Sequence, residues 1–88
     1  MTFNEAYSNE FKVFSEEIYH KIKSFKGCLH LEIYRDLDHP EVFFSYSHWT
    51  SEDKLNEYRK SEFFRGAWTK IKAWFSFPAE AWSLDKVI

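Results

Sequence analysis

The chain is poor in residues that punctuate or cross-link a fold: its 88 positions hold two glycines, two prolines and a single cysteine. With one thiol, Cys28, no internal disulfide can form, and a reducing compartment is the simpler expectation. Gly27 and Gly66 stand far apart, so no glycine-rich loop is available to cradle a phosphate. Excess charge is scarce too. A formal net charge of -2 gives no electrostatic reason to expect a nucleic-acid or anionic-membrane partner. The basic runs Lys21, Lys23, Lys26 and Lys70, Lys72 read as solvated helix faces. No apolar stretch approaches the roughly 18 residues of a membrane span, and the N-terminal MTFNEAYSNEF lacks a basic segment followed by an apolar run. These absences predict a cytoplasmic protein without nucleic-acid or membrane partners. Repeats and low-complexity segments are missing as well.

Aromatic side chains are abundant. Ten Phe, five Tyr and four Trp make up 22% of the sequence. A chain this short forms one domain with a marginal core, so that much aromatic area implies a second buried surface, such as a subunit interface or a cavity. Residues 1–88 are read as a single domain.

Met1 to Phe3 is too short for a central strand, and a truncated or abbreviated first strand is expected there. From about Asn4 to Phe25, Phe11, Phe14, Ile18, Ile22 and Phe25 recur at steps of three and four, the signature of a helix with one apolar face. Gly27 supplies its stop, because glycine alone enters the left-handed region without strain. Cys28 to Arg35 alternates as a strand, Asp36 to Pro40 is a turn, and a second strand runs from about Glu41 to Trp49. A four-residue loop, with Asp36 opposite Glu41, pairs Tyr34 with Phe43, Glu32 with Ser45, His30 with Ser47 and Cys28 with Trp49. On the reverse face it pairs Ile33 with Phe44, Leu31 with Tyr46 and Leu29 with His48. One face is then apolar and meets the helices. The other carries His30, Glu32, Tyr34, Phe43, Ser45, Ser47 and Trp49 together.

Thr50 or Ser51 caps the next helix, with Glu52 and Asp53 in its first turn where the helix dipole favours acids. Ser61 and Glu62 make a fresh start before a stripe at Phe64, Ala67, Trp68, Ile71, Trp74 and Phe75. Gly66, costly inside a helix, is expected to mark close packing. Pro78 closes the region, and Glu80 to Val87 alternates as a last strand.

The run His48-Trp49-Thr50-Ser51-Glu52-Asp53, with Leu55, Tyr58-Arg59, Ser61-Glu62, Phe64 and Trp68, resembles the antibiotic biosynthesis monooxygenase domain family. Gly27-Cys28-Leu29 and Ala81-Trp82-Ser83 sit where that family has its second and last strands. The resemblance implies an α+β fold, a ferredoxin-like antiparallel sheet with helices on one face, paired into a dimeric α/β barrel. It also implies a homodimer whose second sheet face lines a cavity for a small aromatic ligand.

The chemistry so implied is cofactor-free oxygenation of a quinol or anthrone-like dihydroxy-aromatic. It needs a dry aromatic pocket, a base and a few polar groups at the developing oxyanion. His30, Glu32 and Trp49 are the candidate catalytic residues, with the imidazole of His30 as base. Tyr34, Phe43, Ser45 and Ser47 are the candidate substrate-binding residues. The family's anthrone-type members use an asparagine four residues before the strand tryptophan, where this chain has Ser45.

No cofactor is expected. The four histidines lie on a helix, a strand, a turn and the opposite face of another strand, and without paired Cys or His spacing no metal site is expected either. Ser47, His30 and Glu32 could be drawn as a hydrolase triad, but nothing marks Ser47 as activated. Haem-degrading relatives carry a histidine near the position of Trp68, and tryptophan does not ligate iron as imidazole does. The competing reading is a non-catalytic dimeric domain of the same fold, ligand-binding or stress-related.

Overall fold

A computed structural model describes residues 1–88. Asn4 accepts a hydrogen bond from the N–H of Ala6 and opens a single 3-10 turn, Glu5–Tyr7, that leads into helix α1, Ser8–Lys23. Strand β1, Cys28–Arg35, and strand β2, Phe43–Trp49, form an antiparallel pair. Helices α2, Glu52–Lys60, and α3, Glu62–Lys72, follow. Their breaks are chemically plain. Ser51 accepts from the N–H of Lys54, Ser61 accepts from the N–H of Phe64, and each satisfies an otherwise orphaned donor of a first turn. Ser51, rather than Thr50, is therefore the cap of α2. Helix α1 stops at Lys23 with Ser24 as its cap, before the expected stop at Gly27, which lies in the turn to β1 with φ +95°, where a Cβ would come within 2.5 Å of Lys54 Cβ.

Met1 to Phe3 makes two isolated antiparallel bridges, Thr2 to Val42 and Phe3 to Phe75. Phe3 is the most buried large side chain, at 1% exposure. It stacks on Phe11 with ring centres 4.2 Å apart and meets Phe43 and Phe75 edge-on. Ile71 completes this centre, with Phe14, Ile18, Ile33, Trp68 and Trp74 packed around it. The stripes of α1 and α3 thus meet over the sheet, as their periodicity predicts.

Three further expectations are corrected. Glu80 to Val87 forms no strand, and Trp82, Leu84 and Val87 stand exposed. Gly66 marks no close packing, since nothing lies within 4 Å of a Cβ built there.

The strand register also differs. Asp36 Oδ1 accepts from the N–H groups of both Asp38 and His39, and Val42 donates back to the His39 carbonyl. This turn takes one residue more than expected, so Asp36 bonds to Val42 rather than opposing Glu41. The shift by one carries through Arg35↔Phe43, Tyr34↔Phe44, Glu32↔Tyr46 and His30↔His48. It is cancelled at an irregularity between Cys28 and His30, where Leu29 is left over and Cys28 again faces Trp49.

Because strand side chains alternate, one step of slip turns β2 over relative to β1. Phe43, Ser45, Ser47 and Trp49 face the helices beside Leu31, Ile33 and Arg35. Phe44, Tyr46 and His48 share the open face with His30, Glu32 and Tyr34. The packing explains the preference: in this register Phe43 joins Phe3 and Phe11, and Trp49 stacks on Tyr58 at 5.1 Å.

Candidate functional site

The open face of the sheet is built by the two-residue period of its strands. His30, Glu32 and Tyr34 project from β1, with Phe44, Tyr46 and His48 opposite them on β2. His30 Nε2 is hydrogen-bonded to Glu32 Oε1, which orients the ring and leaves Nδ1 free. The Tyr46 ring approaches His30 edge-on with centres 6.4 Å apart. Tyr34 and Phe44 are each 52% exposed and Tyr46 48%, so this aromatic wall has no cover within the chain. A carboxylate-held imidazole between aromatic rings can take a proton from a phenol and stabilise the resulting charge pair.

The expected site therefore divides. His30, Glu32 and Tyr34 come together on the open face, whereas Trp49, Phe43, Ser45 and Ser47 lie on the helix side. Ser47 Oγ accepts from the Trp49 indole N–H, and no Ser/His/acid arrangement with His30 is possible across the sheet. Phe43 belongs to the core.

Around Trp49 the helix side forms an aromatic layer. Tyr58 stacks on it, Phe25 and Phe64 meet Tyr58 edge-on at 4.9 and 5.0 Å, and Trp68 lies parallel to Phe64. Burial in this layer, with the Cys28 thiol nearby, pushes the Tyr58 hydroxyl up to about 12. Burial also raises the Cys28 thiol, against a weak bond to the His30 carbonyl at 3.8 Å. Beside this layer Ser45 and Ser47 remain exposed.

Sequence reasoning missed Phe44, Tyr46 and His48 as members of the open face. Strand alternation assigns two sets but not which set faces out, and the only signal was the extra turn residue. It also placed His48 away from His30, although the two are cross-strand partners. No group of three or more His, Cys, Asp or Glu side chains is placed to hold a metal ion. No helix is long and apolar enough to cross a membrane.

Comparison with known proteins agrees with this architecture. The profile of the family described as Antibiotic biosynthesis monooxygenase matches residues 2–70. A conserved protein from Methanosarcina mazei Go1 superposes with a TM-score of 0.83 over 90% of this chain and 78% of its own, at 18% identity. A Deinococcus radiodurans protein assigned by name to the antibiotic biosynthesis monooxygenases superposes with a TM-score of 0.78, at 15% identity, over 99% of this chain and 91% of its own. At such identities the likeness is one of fold, an α+β fold with an antiparallel sheet and helices. No curated protein matches the sequence significantly.

Proposed function

We propose that this chain, which belongs to the antibiotic biosynthesis monooxygenase family, is a homodimeric, cofactor-independent oxygenase of small dihydroxy-aromatic compounds, with His30 as its general base. The observation that carries this reading is the His30–Glu32 pair on an uncovered aromatic face. Dimerisation supplies the cover. Seven of 88 residues are buried, a small core for a stable domain, and the exposed Tyr34, Phe44 and Tyr46 are the side chains a second copy would shelter.

In that enclosure a substrate hydroxyl donates its proton to His30 Nδ1, while Glu32 stabilises the imidazolium. The phenolate passes one electron to dioxygen, and the superoxide joins a ring carbon that bears hydrogen, para to the phenolate oxygen in the enol of an anthrone or ortho to it in a quinol. The proton held by His30 completes a hydroperoxide. That hydroperoxide loses water, taking the hydrogen of the attacked carbon, and leaves a quinone carbonyl. One oxygen atom enters the product and one leaves as water, with all four electrons drawn from the substrate. Exclusion of bulk water is the protein's main contribution besides the base.

The second reading is favoured by the exposed Ser45 and Ser47 hydroxyls beside the Trp49–Tyr58 stack. A planar phenol could bind there with no base at hand, as in a ligand-binding module without turnover.

Oxygen uptake with a panel of reduced naphthoquinones and anthrones separates the two. Turnover that falls about 10²- to 10⁴-fold in His30→Ala but survives Trp49→Phe supports the oxygenase. Binding without oxygen consumption, weakened by Trp49→Phe and untouched by His30→Ala, overturns it in favour of the module.

A further inference from the structure

A separate groove of about 440 Å³ runs between α1 and the β1 edge, walled by Tyr19, Ile33, Tyr34 and Phe43 and overhung by Lys12 and Arg35. Arg35 is unusual within it. Its guanidinium lies over the Phe43 ring at 4.6 Å, and Nη2 reaches only the Ser8 carbonyl at 3.4 Å. Nε is sealed from solvent without a partner, and Nη1 makes no hydrogen bond within the chain. No carboxylate neutralises it. The chain's ion pairs are His30–Glu32, His39–Glu41 and Lys54–Glu57, so Lys12 is unpaired as well. Glu16 is the one acid lining the groove, which leaves a cationic excess beside apolar walls. A partly desolvated guanidinium without a counter-ion is costly, and an incoming anion relieves that cost through charge-assisted hydrogen bonds.

We propose that this groove binds a small organic carboxylate, its oxygens on the Arg35 Nη edge with Lys12 at the rim and its apolar body along Ile33 and Tyr19. The size suits a ligand of one or two rings. The inference does not depend on the oxygenase reading, because the groove lies along α1 and shares only Tyr34 with the face that carries His30.

The test titrates the full chain with benzoate, with its neutral counterpart benzamide and with inorganic phosphate, followed by amide NMR shifts. Benzoate should give saturable shifts confined to Ser15, Tyr19, Ile33 and Arg35. Benzamide and phosphate should bind at least tenfold more weakly, and Arg35→Gln should weaken benzoate by a similar factor. If Arg35→Gln fails to fold, the contrast between the three ligands on the unmodified chain still decides. Equal shifts from benzamide, phosphate as tight as benzoate, or benzoate shifts mapping elsewhere would overturn the proposal.

Discussion

At the scale of single residues, Tyr58 makes the clearest prediction. Its hydroxyl is pushed up to about 12 by burial, against an ordinary value near 10, so the folded state holds its proton where the unfolded chain has lost it. The sign follows: the contribution is fully present below pH 10 and is lost as pH rises through about 12. The urea midpoint should therefore fall between pH 10 and 12, and Tyr58→Phe, which keeps the stack on Trp49, should flatten that part of the curve. A Cys28→Ser background removes the thiol, whose raised titration acts in the same direction. Gly27→Ala should cost about 1 to 3 kcal/mol in chemical denaturation, because a left-handed φ of +95° and the approach of Lys54 oppose any Cβ. The left-handed turn at Gly27 was legible in one letter, whereas the end of α1 was not, since the helix stops at Lys23 with Ser24 as its cap and leaves Gly27 to the turn before β1. Nor was the state of Tyr58, since its burial comes from Phe25, Trp49 and Phe64, which lie in the turn after α1, in β2 and in α3 and meet only once those elements pack.

At the scale of elements, the helix starts rest on two serines. Ser51→Ala and Ser61→Ala should each cost about 1 kcal/mol, read as a drop in thermal midpoint with the fold retained. Their capping role was visible beforehand, because a hydroxyl before an acidic first turn is a local signal. The strand pair was visible only in part. The β1 sides are as expected, with Leu31 and Ile33 inward and His30, Glu32 and Tyr34 outward, whereas β2 is turned over. Its alternation of aromatic and small polar residues is nearly symmetric, so either set could face the helices until a long-range contact chose. Phe43 was captured by Phe3, in the bridged N-terminal segment, and by Phe11, in α1, and the added turn residue at 36–42 made room for it. Deleting Leu29, the left-over residue of β1, should close the irregularity into a continuous ladder that keeps Cys28 opposite Trp49 and Trp49 stacked on Tyr58. The measurable consequence is a near-ultraviolet circular dichroism spectrum that retains the signature of the stack, with far-ultraviolet helicity preserved; loss of that signature would sink this account of the irregularity.

At the scale of the whole molecule, the balance of core and exposed aromatic area is what matters. A folded chain that leaves Tyr34, Phe44 and Tyr46 about half exposed should associate through that face, and its thermal midpoint should rise with protein concentration. Tyr46→Asp should convert the dimer to a folded monomer in sedimentation and remove the concentration dependence; a wild-type chain that sediments as a monomer throughout sinks the dimer. Helices, strands, caps and family were readable from composition, period and punctuation, because each is set by residues close together along the chain. Which face of β2 meets the core, whether His30 and Trp49 share a site, whether the C-terminal stretch pairs as a strand, and that Arg35 is left without a counter-ion were all decided by packing. These depend on a one-residue difference in loop length and on contacts between distant segments, and alternation along a strand carries no record of either.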